Sequence, residues 1–401
     1  MSNPKDKPDN SKTWHPATLQ VRAGLDRTPF GETSEALFLT SGYVYDSAEQ
    51  AERAFTGEED HYVYSRYANP TLNMFEQRLA AIEGAQFCKG TASGMAAVFG
   101  ALAPHLKTGD RIVAAKALFG ACYHVISAIL PQWGITAEFV DGTDLDAWKS
   151  ALSTPAQAVF LETPSNPALS IIDLAAVSEL AHKAGAIVVV DNAFATPILQ
   201  HPLDFGADVV TYSATKHIDG QGRTLGGAIL SNNEEYIEKT VAPFLRQTGP
   251  ALSPFNAWVL LKGMETLELR VSRQCQNALE IARFLATQDT IEEVVYPGLP
   301  SHPQHELAMT QMSEKGGTMV CFHVKGGKEE AFKLMNKLEI IDISNNLGDA
   351  KSLITHPATT THQKMTEAEQ RDAGIRPGTI RLSLGIEDAR DLKDDLAQAL
   401  A

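Results

Sequence analysis

Cysteine is scarce in this chain. Its four cysteines, Cys88, Cys122, Cys275 and Cys321, show no CxxC spacing, so they give neither a zinc signature nor a dense disulfide framework, and a reducing compartment fits. No metal site is expected. Basic side chains are in deficit: 34 Lys and Arg stand against 49 Asp and Glu, a net charge of -15. Nucleic acids and anionic membranes are bound through basic patches, so neither is expected as a partner, and any anionic ligand has to be held locally. Long apolar runs are missing as well. No stretch reaches the roughly eighteen apolar residues of a membrane span, and the polar start MSNPKDKPDNSKTW has no apolar core of the kind an export signal needs. The expectation is a soluble, unexported, cytoplasmic protein.

What is present is enough apolar material for a large core: 401 residues, 44% hydrophobic, more than one small module requires. Up to HYVYSRYANPT the chain is poor in periodicity, and Asn69-Pro70 is a turn and helix-start signal. From there, short apolar runs (RIVAA, AQAVFLE, AIVVVD, ADVVTYS, GGAILS) alternate with helical stretches such as YHVISAILPQW and LAAVSELAHKAG. Near-continuous apolar strands separated by amphipathic helices predict a mainly parallel sheet covered on both faces. The stretch LLKGMETLELRVSRQCQNALEIARFLATQ reads as one long helix, and TMVCFHV, KEEAFKLMNKL and TIRLSLG after it suggest a smaller α+β unit. The division is an arm over residues 1–72 with a loose start, a large α/β domain over 73–262, and an α+β domain over 263–401 entered by the long helix.

Candidate chemistry gathers at strand ends. AIVVV delivers Asp191, AQAVFLE delivers Glu162 followed by TPSNP, and ADVVTYS delivers Ser213, Thr215 and Lys216. In a parallel sheet these face one crevice. Upstream, GTASGMAAVFGALAPHL opens an apolar helix on small residues, with Ser93 as candidate cap and Gly94 allowing close backbone approach, an arrangement whose free N–H groups attract an anion. It lacks the GK[ST] ending of a nucleotide-binding P-loop. An anion cradle, a carboxylate and a lysine together meet the needs of pyridoxal phosphate: a home for its phosphate, a partner for its ring nitrogen, and an amine for its aldehyde. Each feature alone has an ordinary structural reading; jointly they point to that cofactor.

YSRYANPT, SGMAA, ETPSNP, DNAFATP, SATKHIDGQG, GMETLELR, YPGLPSHPQH and TIRLSLGIE, in that order, resemble the pyridoxal-phosphate enzymes of cysteine and methionine metabolism, from about residue 20 to the C-terminus. These are the cystathionine γ-synthases, cystathionine lyases and homoserine-ester sulfhydrylases. The resemblance implies fold type I, with a mainly parallel seven-stranded sheet flanked by helices and a smaller C-terminal α+β domain. It implies that Lys216 is the Schiff-base lysine and general base, and that Asp191 pairs with the ring nitrogen. Gly94 and Met95 would give N–H groups, and Ser213 and Thr215 hydroxyls, to the phosphate. Phe119 would stack on the ring, and Asn166 would bond the cofactor's phenolic oxygen or the substrate carboxylate. Arg381 would grip that carboxylate, with Asn346 beside it. Tyr64 and Arg66 would reach the phosphate of a neighbouring subunit, in a homotetramer built of dimers that share active sites. Glu162 is left a structural role.

Departures from the family pattern bear on subtype. Phe119-Gly120 stands where lyases and synthases usually carry Tyr-Gly, which keeps stacking and loses a phenol, as in sulfhydrylases. Asn346 stands where relatives often have Ser. After the lysine, Asp219-Gly220-Gln221-Gly222-Arg223 replaces a pattern ending in an acid, and this version is similar to that of O-succinylhomoserine sulfhydrylases. Arg223 then either recognises a free succinyl carboxylate or pairs with Asp219 as a local bridge. The expected reaction is γ-replacement on O-succinyl-L-homoserine with sulfide, giving L-homocysteine and succinate. The rival is the synthase reaction with cysteine, or a γ-lyase reaction, and a non-catalytic scaffold is disfavoured by the intact Lys216, Asp191 and Arg381.

Overall fold

The structure, a computed structural model, describes residues 14–401; the loose start read over residues 1–13 lies outside them. The apolar runs become a seven-stranded sheet of β1 (Phe87–Thr91), β2 (Arg111–Ala115), β3 (Thr136–Val140), β4 (Ala158–Glu162), β5 (Ile187–Asp191), β6 (Val209–Tyr212) and β7 (Gly227–Ser231). Their order is β1-β7-β6-β5-β4-β2-β3, and β7 alone runs against its neighbours. Fold type I, mainly parallel and with a second, smaller sheet, is what the chain adopts.

Burial on both faces explains why these strands carry so few polar residues. Val209 and Ile229 enter one core with Trp148 and Val177, whereas Val210, Tyr212, Ala228 and Leu230 enter the other with Phe75 and Leu260. That alternation is the period of two that a strand imposes. The helix Pro70–Glu83, capped by the Asn69 side chain on Thr71 N–H and started by its proline, covers the second face.

The predicted single long helix is two, Pro254–Met264 and Leu267–Leu285. Thr266 leaves the helical region, and Gly263 lies so close to the lysine loop that a Cβ there would meet the Ile218 carbonyl at 2.4 Å. Close backbone approach, not propensity, sets the break. Along Leu267–Leu285, Leu267, Val271 and Cys275 pack into the core of the large sheet, and Ala278, Ile281, Ala282 and Leu285 into that of the small one. The small sheet comprises β8 (Ile291–Val295), β9 (Met319–Val324), β10 (Asp342–Ile343), β11 (Leu353–Thr355) and β12 (Thr379–Ser383), ordered β10-β11-β12-β9-β8. In β12, Ile380 and Leu382 point to its helical core, while Arg381, in register with Cys321, points back toward the large sheet.

Candidate active site

Strands β4, β5 and β6 are parallel neighbours, so their carboxyl ends share one rim. Glu162 pairs in register with Asp191, and Asp191 with Thr211. Beyond β6 the chain turns through Ser213 to Lys216, and β1, which runs the same way, leads through Ser93 into the helix Gly94–Leu102. Together with β12 these ends enclose a cleft of about 660 Å³, solvent at its mouth included. Gly94, Met95, Phe119, Asn166, Asp191, Ser213, Lys216 and Arg381, all named from sequence, line it.

The helix start is shaped for a small anion. Ser93 accepts from Ala96 N–H at 3.2 Å, while the N–H groups of Gly94 and Met95 have no acceptor within the helix. A Cβ at Gly94 would stand 2.6 Å from Ser213 Cβ, so only glycine lets the two segments meet.

Three charges, Arg381 buried and Asp191 and Lys216 partly so, face the same space, and none has an opposite charge at ion-pair distance among the described residues. The Asp191 carboxylate takes the Ala193 N–H at 3.1 Å and lies 3.9 Å from Cys122 Sγ. Burial pushes its pKa up to about 6. Lys216 Nζ donates to Asn346 Oδ1 at 2.7 Å; burial first, and then the Arg381 charge, lower its pKa to about 8. Arg381 donates through Nη1 to Asn166 Oδ1 at 3.1 Å and through Nη2 to the carbonyls of Asn345 and Asn346 at 2.9 and 3.1 Å. Its Nε is buried with no partner among the described residues.

Other sequence-predicted residues go elsewhere. Thr215 Oγ1 is turned to Gly226, donating to its carbonyl at 3.2 Å and accepting its N–H at 3.1 Å, so of the two expected hydroxyls Ser213's is the one at the cleft. Arg223, expected either at the substrate or on Asp219, is on Asp219: Nε to Oδ1 at 3.0 Å, Nη2 to the carbonyl at 3.0 Å. Of the two readings the structure shows the pair with Asp219, a buried carboxylate four residues back, and Arg223 does not line the cleft. Tyr64 and Arg66 lie outside this cleft, in an exposed groove where the guanidinium stacks over Tyr64 and Tyr67, 5.5 and 4.9 Å from the ring centroids. Sequence reasoning missed Thr361, which closes the cleft from the second unit, and the contact of Glu162 with Phe119 N–H at 2.7 Å. The strand-end position of Glu162 was the available signal.

The family model for Cys/Met metabolism PLP-dependent enzymes matches residues 17–401, and the chain belongs to that family. It is 56% identical to an O-succinylhomoserine sulfhydrylase of Mycobacterium tuberculosis over 405 residues, covering 100% of this chain and 98% of the relative. A Pseudomonas aeruginosa O-succinylhomoserine sulfhydrylase is 46% identical over 384 residues, 96% of this chain and 94% of the relative. The crystal structure of a putative O-acetylhomoserine (thiol)-lyase from Campylobacter jejuni, which carries a pyridoxyl-lysine monophosphate, superposes with a TM-score of 0.92 at 33% identity over 96% of this chain and all of that one.

The residues present fit pyridoxal phosphate. A helix start and a hydroxyl offer donors for a phosphate where a glycine makes room, a partly buried carboxylate lacks a cation at ion-pair distance among the described residues, and a half-buried amine lines the same cleft.

Proposed function

We propose that the protein carries out γ-replacement on O-succinyl-L-homoserine, exchanging the succinyl ester for sulfide and releasing L-homocysteine and succinate. The observation that carries this reading is one cleft holding both the Lys216 amine and a buried guanidinium, Arg381, whose Nε has no partner among the described residues. The names of the mycobacterial and pseudomonad relatives support the ester and the nucleophile.

Pyridoxal phosphate, when bound, supplies an electron sink for carbanion chemistry on an amino-acid substrate. In this reading Gly94 and Met95 N–H and the Ser213 hydroxyl would hold its phosphate, Asp191 would keep its ring nitrogen charged, and Phe119 would pack against its ring. Arg381, with Asn166 beside it, takes the substrate α-carboxylate in a two-pronged bond. Lys216 moves the protons: its amine, with a pKa lowered to about 8, is a competent base near neutral pH and takes the substrate's Cα proton. Asn346 Oδ1 keeps that amine directed into the cleft between transfers.

Tyr64 is exposed, and Arg66, half-buried, stacks on it and donates to the Arg246 carbonyl in an open groove, a place that suits delivery to the phosphate of a neighbouring subunit in a homotetramer of dimers. Four buried, free thiols suit a cytoplasmic setting.

The test supplies the protein, loaded with pyridoxal phosphate, with O-succinyl-L-homoserine and either sulfide or cysteine. Homocysteine formation is expected to dominate. Dominant cystathionine would make it a synthase, and 2-oxobutyrate without either nucleophile a γ-lyase.

A further inference from the structure

Glu162 is buried at the end of β4, with only 3% of its surface exposed, and no Lys, Arg or His lies at ion-pair distance among the described residues. Its strand neighbour in register is another carboxylate, Asp191. Cys122 comes from the helix above, Lys216 from the loop after β6 and Arg381 from β12, all at longer range. Burial first, and then the Asp191 charge, push the Glu162 pKa well above the usual carboxylate range, while the backbone N–H groups of Phe119 and Asn166 and the Arg381 charge pull the other way. Packing alone does not explain such a group, because an apolar side chain of similar size would fill the space without the desolvation cost.

What the carboxyl group offers is two acceptor oxygens, one of them already taken by a backbone donor. Phe119 N–H donates to Oε2 at 2.7 Å, and the Asn166 backbone, four residues on, is near enough to pull the Glu162 pKa down. Phe119 begins the helix Gly120–His124 with no side-chain cap of its own, so this contact fixes where its ring starts. Asn166 carries the carboxamide that accepts from Arg381 Nη1 at 3.1 Å. A carboxamide in place of Glu162 would satisfy one amide and turn its own NH₂ on the other.

We propose that Glu162 is a positioning residue: a single buried carboxyl group that ties the Phe119 and Asn166 backbones together and thereby sets the stacking ring and the carboxamide that steadies Arg381. The inference rests on the proposed placement of the cofactor ring against Phe119 and of the substrate carboxylate at Arg381.

The test compares wild type, Glu162→Gln and Glu162→Ala. Amide hydrogen exchange is read in the cofactor-free protein on peptides holding Phe119 and Asn166, and visible circular dichroism is read with cofactor bound. In Glu162→Ala both amides should exchange at least tenfold faster and the visible dichroism should fall by half or more. Glu162→Gln should keep one amide protected and lie between, with a melting temperature near wild type. If Glu162→Ala does not fold, the near-isosteric Glu162→Gln carries the test. Wild-type exchange and dichroism in Glu162→Gln and in any folded Glu162→Ala would overturn the proposal. Neither readout needs turnover, so a wild-type protein that makes no homocysteine counts against the proposed reaction and leaves the part of Glu162 standing.

Discussion

Arg270 and Arg381 are buried to nearly the same degree, at 5% and 1% exposure, and burial lowers the pKa of each to about 10. Their surroundings differ. Arg270, behind the lysine loop, has a partner for every nitrogen: Nη1 on the His217 carbonyl at 2.7 Å, Nη2 on the Gly263 carbonyl at 2.8 Å and Nε on Thr266 Oγ1 at 3.2 Å. The charges of Asp219 and Asp349 stand near it, and Asp219 is itself bridged by Arg223. Arg381, in front of the loop, leans on neutral oxygens, and its Nε has no partner among the described residues. Desolvation is offset within the protein behind Lys216 and left open before it, which is where a substrate carboxylate can offset it instead.

Breaking the matched side should cost stability most. Arg270→Ala strips three carbonyl or hydroxyl oxygens of their donor and removes the side chain that Gly220 packs on, so unfolding should become easier by about 3–5 kcal/mol in urea denaturation. A change below about 1 kcal/mol would mean that the cluster does not hold the loop.

Disturbing the open side should cost function and spare the fold. Arg381→Lys keeps a charge and loses the fork, so kcat/KM for the ester should drop about 100-fold, mostly through KM, with an unchanged urea midpoint. An unaltered KM would place the carboxylate elsewhere.

The smallest effect carries the opposite sign. Because burial raises the Asp191 pKa from 3.8 to about 6, its ionised form destabilises the cofactor-free fold. Asp191→Asn should therefore stabilise that form by about 1–3 kcal/mol at pH 8, an advantage that shrinks as pH falls below 6 and is gone only below about 3, where the wild-type side chain is protonated in both states. The same variant should bind pyridoxal phosphate poorly. Equal stability of the two proteins at pH 8 would show that the carboxylate is compensated after all.

How much of this was legible follows from exposure. β2, β4, β5, β6 and β7 were read from apolar runs because they are interior strands with both faces covered. β1 and β3, the two edges of the sheet, were not, since FCKGT and TAEFV mix polar positions where one side meets solvent. Lys216 and Asp191 stood out by following strand ends, and Gly94 by opening an apolar helix on small residues. Arg381 sits inside an apolar strand with no strand end to mark it, and family resemblance supplied its expected role. The hold of Glu162 on Phe119 spans 43 residues with no periodicity to mark it, and the turn of Thr215 toward Gly226 depends on a strand eleven residues later.

The two units share one helix, Leu267–Leu285, and the cleft draws Gly94 to Lys216 from one side of it in sequence and Asn345 to Arg381 from the other. The site is thereby ordered in time as well as space. During synthesis, a chain that has emerged through Ser231 already contains every strand of the large sheet and the amine, while the guanidinium arrives 150 residues later. The order of translation thus completes the anion cradle and the lysine before any grip for a second carboxylate exists.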